Sequence, residues 1–228
     1  MRLLICNGSP RGKGGNTALL LKHFTDGFAA YPENTFEVAY LQRVKEYASI
    51  AEKARAAGAV IIAFPLYADS MPAIVKDFIE TLGSEQPKGR ASKKQKEFPP
   101  IGFIVQSGFP EAIHSRYVER YLEKLARRLN GRYIGTIIKG GVEGIQEKPD
   151  FLNKRLFMAF RSLGRHFGVT KEFHPIIMKK LAGMERFSPV GRFFIRLLLH
   201  TGLADSGWIK PLKQNGAYER RFDKPYQS

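Results

Sequence analysis

Residues 7–17 read Asn-Gly-Ser-Pro-Arg-Gly-Lys-Gly-Gly-Asn-Thr, and they sit between the apolar run 2–6 and a helical pattern over 18–28. Four glycines let such a backbone curl tightly and turn successive amides inward, while the helix start behind it adds the positive end of its dipole. The combination suits a phosphate. Ser9, Asn16 and Thr17 add side-chain donors and Arg11 a guanidinium fork. A Walker loop is missing, because Lys13 is followed by Gly14-Gly15 and not by the Ser or Thr that would hold magnesium. A dinucleotide fingerprint is disfavoured too: Thr17 stands at the third glycine position, and the second strand ends Ala39-Tyr40-Leu41-Gln42 without a ribose-binding acid. What remains is a mononucleotide phosphate at the first strand-to-helix turn.

With 228 residues, 43% of them apolar, the chain can bury a full core. Cys6 is the only cysteine, which excludes an internal disulfide framework and suits a reducing compartment. The N-terminal apolar run is too short for a signal-peptide core and no segment approaches 18 uninterrupted apolar residues, so the expected location is the cytoplasm. The net charge of +16 is uneven: residues 1–150 carry 22 Lys and Arg against 16 Asp and Glu, residues 151–228 carry 15 against 5. Such a field attracts phosphorylated cofactors or acidic surfaces without specifying one.

Hydrophobic periodicity orders the rest of the chain. Strands are expected at 2–6, 35–41, 59–64, 101–106 and 132–138, alternating with helices over 18–30, 49–57, 74–82 and 113–129, which argues for a parallel, doubly wound sheet. In the fourth helix Val118, Tyr121, Leu122, Leu125 and Leu129 are expected to face inward. The stretch 84–98 is polar and basic, with no aromatic residue among its charges until Phe98, so it reads as a solvated loop and nucleic-acid binding is not expected. A further helix over 150–167 would cover the sheet with Leu152, Leu156, Phe160, Leu163 and Phe167. Ser188-Pro189 then starts, and Gly202 stops, a basic amphipathic helix with Val190, Phe193, Phe194, Leu197 and Leu198 on one face and Arg192, Arg196 and His200 on another. Such a face packs on a core or a second subunit, or lies on an anionic membrane. The final segment, 208–228, is polar, basic and poorly periodic, and reads either as an ordered extension anchored by Trp208, Tyr218 and Phe222 or as a loose tail. The division expected is a first domain over 1–150 and a basic helical extension over 151–228, packed on or beside it.

Three motifs go beyond composition: Gly8-Ser9-Pro10-Arg11 with Gly15-Asn16-Thr17; Pro65-x-Tyr67-x-x-Ser70-Met71-Pro72 running into Lys76-x-Phe78-Ile79; and Ser107-Gly108 after the fourth strand. Together they resemble the NAD(P)H-dependent FMN reductase group of flavodoxin-like oxidoreductases, over about residues 1 to 140. The resemblance implies a flavodoxin-like five-stranded sheet of order 2-1-3-4-5. It implies Ser9, Arg11, Asn16 and Thr17 as ligands of the FMN phosphate. Pro65, Leu66, Tyr67, Ser70 and Met71 would line the isoalloxazine, with Ser107, Gly108 and Phe109 closing its other edge. Iron-sulfur relatives with a similar opening carry a cysteine cluster between the second and third strands; residues 42–49 have none, so no metal centre is expected.

The activity implied is hydride transfer from NADH or NADPH to FMN and on to a quinone, flavin, nitro or azo acceptor, with no protein nucleophile required. Arg11, Lys13 and Arg116 are candidates to favour the phosphates of the nicotinamide donor. His114 and Asp69 are candidate acid/base groups, although titratable loop residues are usually just solvated. Family members are often dimers, so a homodimer is implied. Rival readings are an electron carrier without a substrate pocket, which the basic charge disfavours, and an FMN-binding protein docking on an anionic membrane through residues 186–201.

Overall fold

The computed structural model describes residues 1–84, 97–201, 209 and 212–224. Its apolar runs become a parallel sheet because both faces are covered by helices. The strands are β1 (Arg2–Asn7), β2 (Thr35–Tyr40), β3 (Ala59–Pro65), β4 (Phe98–Gln106) and β5 (Gly131–Lys139), in the order β2-β1-β3-β4-β5. Every pairing is parallel, as the alternation of elements predicts. The order reverses between β1 and β3, which opens a crevice at the carboxyl ends of those strands.

Strand periodicity sorts the core into two layers. In β3, Val60, Ile62 and Phe64 point to one face, where they meet α2 (Tyr47–Ala56), α3 (Ala73–Ser84) and α4 (Ile113–Arg128). Ala59, Ile61 and Ala63 point to the other face, toward α1 (Asn16–Phe28), α5 (Asp150–Thr170) and α6 (Pro175–Ala182). Phe24 and Phe28 of α1 pack there with Phe160, Leu163 and Phe167 of α5. The two helices approach to backbone contact: a Cβ on Gly27 would overlap the Arg161 carbonyl, and one on Gly164 would overlap the Phe24 carbonyl. Side chains alone would forbid this crossing.

That packing moves the expected boundary. Two compact units divide between Glu185 and Arg186, not at 150/151, because the apolar stripe of α5 completes the sheet's own core. The short helix α6, which the sequence reading does not contain, belongs to the first unit as well. Two inward assignments are also corrected: Tyr121 on α4 and Leu152 on α5 are exposed. Leu152 sits in the first turn of α5, ahead of the turns that reach the sheet.

The second unit, Arg186–Ser228, contains α7 (Pro189–His200). Ser188 caps it as expected, its Oγ accepting the Gly191 amide at 3.1 Å. The basic stretch expected at 84–98 lies almost wholly outside the described residues, as do Gly202 and Trp208, and the side chain of Leu198 is likewise outside them. Among the described residues no helix is long and apolar enough to cross a membrane.

Candidate functional site

Asn7 closes β1 with its side chain fully buried, and that side chain shapes the loop that follows. Its Oδ1 accepts the Ser9 amide at 2.9 Å, and its Nδ2 donates to the Gly12 carbonyl at 3.5 Å. Ser9 Oγ in turn accepts the Arg11 amide at 3.3 Å, and Gly12 N bonds Ser9 O at 2.9 Å. Gly12 takes φ +54°, where an L residue is strained, and a Cβ there would also collide with Gln42. Gln42, just beyond β2, donates to the Pro10 carbonyl and holds the outer wall of the loop.

Behind this loop α1 begins with Gly15 as its N-cap, without a side-chain cap and with no acidic residue in the first turn. First-turn amides have no intrahelical acceptor, so the positive end of α1 is left for an external anion. Ser9, Asn16 and Thr17 are buried around it while Arg11 is exposed. Their side chains differ in availability. Asn16 Nδ2 donates to Val142 O at 2.9 Å and its Oδ1 accepts from Gln146 Nε2 at 2.8 Å, so this side chain already ties the first loop to the segment after β5. Thr17 Oγ1 accepts from Gln106 Nε2 at 3.3 Å and keeps its own hydroxyl proton to give. Arg11 has no ion pair among the described residues.

The second loop follows β3. Pro65 is buried, and the Leu66 amide donates to Gln106 O at 2.7 Å, anchoring the loop on β4. Tyr67 and Ser70 exchange backbone bonds of 2.8 and 2.9 Å across a two-residue turn. Ala68 (φ 46°) and Asp69 (φ 60°) both lie in the left-handed region, although neither is glycine. The turn presents Tyr67 at 47% exposure and leaves Met71 half-buried against the core. A cavity of about 490 Å³ adjoins it, lined by Asp69, Ser70, Met71, Lys76, Tyr117 and Tyr121 among others.

The third loop follows β4. Ser107 is buried, its Oγ donating to Phe109 O at 2.9 Å, while Gly108 is exposed and Phe109 stands at 63% exposure. The His114 ring lies against Phe109 with centroids 4.9 Å apart, and its two nitrogens are each 3.6 Å from a carboxylate, Asp69 for Nδ1 and Glu111 for Nε2. This cluster links the second and third loops. Arg116 is not available to a ligand's phosphates as expected from sequence: it is held by Glu185 and, to a smaller extent, Glu119, which raise its pKa while Glu185 is held below the usual carboxylate range. Lys13 lies 5.8 Å from the centroid of the Tyr40 ring.

The twelve expected site residues thus lie at the carboxyl edge of adjacent strands β1, β3 and β4, nine of them in the three loops, with Asn16 and Thr17 opening α1 and Pro65 ending β3. A fourth segment, between β5 and α5, joins them and was missed: Val142 N bonds Ser107 O at 3.0 Å, and Gln146 reaches Gly14 O at 3.0 Å. The glycine pair Gly140-Gly141 was its only signal. Cys6, one residue from the site, is inert, since burial, aided by Glu37, pushes its thiol pKa up and keeps it protonated.

The family model described as flavodoxin-like fold matches residues 1–156. No curated protein gives a significant match. Among solved structures the chain is similar to the Trp repressor binding protein of Bacillus subtilis, at 23% identity over 71% of this chain and 96% of that one, with a TM-score of 0.54. It is similar to an NAD(P)H:quinone oxidoreductase from Methanothermobacter marburgensis, at 16% identity over 76% and 99%, with a TM-score of 0.59. It also matches an FMN-dependent NADH-azoreductase from Bacillus anthracis in complex with FMN, at 15% identity over 73% and 99%, with a TM-score of 0.54. At these identities the likeness is one of fold.

Proposed function

The chain belongs to the flavodoxin-like fold family, and from that premise we propose that it is an FMN-dependent oxidoreductase that takes hydride from NADH or NADPH and passes electrons to a quinone, flavin, nitro or azo acceptor. The observation that carries this reading is the uncapped start of α1 behind a glycine-built loop, placed beside two loops that each expose one aromatic residue. The names of the similar quinone oxidoreductase and azoreductase agree with it.

The residues fit the cofactor. A dianionic phosphate needs several donors and a positive field, which the first-turn amides of α1, the hydroxyls of Ser9 and Thr17, the free amide hydrogen of Asn16 and the Arg11 guanidinium supply. Pro65, Leu66, Tyr67, Ser70 and Met71 would take one side of the flat ring, and Ser107, Gly108 and Phe109 another edge. FMN, once bound, supplies the group that accepts hydride and returns the electrons. The protein's share is positional. Gly108 would let backbone approach the ring edge without a side chain between, Tyr67 would shield a ring face and Phe109 that edge from water, and His114 holds Phe109 in place. The homodimer implied by the resemblance belongs to the same reading, and sedimentation as a monomer at micromolar concentration would remove it.

The test is the visible spectrum of protein reconstituted with FMN, followed anaerobically during addition of NADH and of NADPH. Prompt bleaching with one donor is the expected result and names the reductant. Bound flavin that neither donor bleaches would turn the assignment to an electron carrier, and failure to bind FMN would remove the cofactor altogether.

A further inference from the structure

Helix α7 carries an exposed apolar stripe. Val190, Phe193, Phe194 and Leu197 are spaced i, i+3, i+4, i+7 and so share one face, yet they are 64%, 63%, 60% and 50% exposed. Phe193 and Phe194 meet edge to face at 5.9 Å and form one continuous aromatic surface. Among the described side chains of α7, Ile195 and Gly191, on a different face, are half-buried. An apolar stripe left outward is costly in water and marks an interaction surface.

The charges around the stripe decide what fits it. From Pro189 to His200 the helix has Arg192 and Arg196 but no Asp or Glu, and neither arginine has an ion pair among the described residues. Residues 186–228 as a whole carry 8 Lys and Arg against 3 Asp and Glu. The same unit exposes Phe222 at 81%, with Arg221 4.7 Å from its ring centroid. Two copies of α7 joined stripe to stripe would crowd four arginines with no acid on either helix to answer them. A surface that is apolar at depth and negative at its rim answers both features at once.

We propose that α7 is a docking element for an anionic lipid bilayer: Phe193, Phe194, Leu197 and Val190 enter the boundary between headgroups and acyl chains, and Arg192 and Arg196 pair with lipid phosphates and carboxylates. With 12 residues the helix lies in the interface plane and does not span. The contact is peripheral and reversible by salt, since its electrostatic part is screened beyond about 8 Å at physiological ionic strength.

The test is co-sedimentation of the full chain with vesicles of phosphatidylcholine and phosphatidylserine at 3:1, against vesicles of phosphatidylcholine alone. Binding to the mixed vesicles, released by half-molar salt, is expected. The double variant Phe193→Ser/Phe194→Ser should bind at least tenfold more weakly. Arg192→Gln/Arg196→Gln, which keeps the apolar stripe and so guards against a folding defect, should lose about fivefold per arginine. Equal binding to both vesicle types, or undiminished binding of both double variants, would overturn the proposal. So would absence of vesicle binding together with self-association that the Phe193→Ser/Phe194→Ser variant abolishes, which would make the stripe an interface between copies of the chain.

Discussion

Two loops leave the sheet on either side of its reversal point, and both need backbone in the left-handed region, yet only one assigns it to glycine. The loop after β1 places Gly12 at φ +54°, and its remaining geometry is held by side-chain bonds from Asn7, Ser9 and Gln42. The loop after β3 places Ala68 and Asp69 at φ 46° and 60°. A left-handed L residue costs about 1–2 kcal/mol, less for Asp, whose short polar side chain eases the conformation. The first loop is therefore relaxed and the second stores strain, maintained by the Tyr67–Ser70 bonds, the Leu66–Gln106 bond and the flanking prolines 65 and 72. The difference fits the two roles proposed for these loops: a phosphate would be gripped by many amides at once, whereas an aromatic wall would need one side chain held at one angle.

The comparison breaks most visibly at Gly12. Gly12→Ala adds both strain and an overlap with Gln42, so it should cost about 2 kcal/mol in denaturant unfolding and weaken FMN binding at least tenfold in a fluorescence titration. An unchanged midpoint would show that the loop does not depend on glycine. Gln42→Ala alone should cost about 1 kcal/mol through its lost bond to Pro10. Combined with Gly12→Ala it should cost less than the sum, because the overlap disappears and only the backbone strain remains.

Ala68→Gly sharpens the other side. Relief of strain should raise stability by up to about 1 kcal/mol while anaerobic reduction of bound flavin slows, since Tyr67 loses its fixed angle. A drop in stability would mean that the turn is not strained. The smallest effect is expected at the Arg116–Glu185 pair, which lies outside both loops. Arg116 holds the Glu185 carboxyl below its ordinary range, so the pair stabilises the fold at neutral pH and that contribution fades as pH falls through the lowered pKa. Being at the surface it is worth at most about 1 kcal/mol, and Glu185→Gln should remove the corresponding part of the acid dependence in unfolding curves measured from pH 6 to pH 3.

The parallel sheet was legible because each buried strand is a short apolar run closed by Gly, Pro or Ser, and because both faces of such a sheet must be apolar; its strand order came from the resemblance that the three motifs carry. Within the site, the first loop was legible from coincident glycines and hydroxyls. The glutamines were not: Gln42 and Gln106 by one bond each and Gln146 by two decide where a loop lies, and an isolated Gln carries no pattern. The left-handed turn at Ala68-Asp69 was invisible for the opposite reason, since local preference argues against it and the surrounding structure overrides it. The extension was divided too early because helix periodicity shows that α5 has an apolar face but not which core receives it; the receiving surface, with Gly27 opposite Gly164, lies more than a hundred residues away in sequence.

Cys6 offers a use that its inertness makes possible. It is the chain's sole thiol, fully buried on β1, an interior strand of the sheet, and one residue from the first loop. A thiol reagent can therefore label the protein only when β1 opens, and the rate of labelling is a native clock for exposure of that strand, with no residue engineered in. Any ligand held by the loop at its end must slow the clock, so affinity and local opening can be read from the same trace.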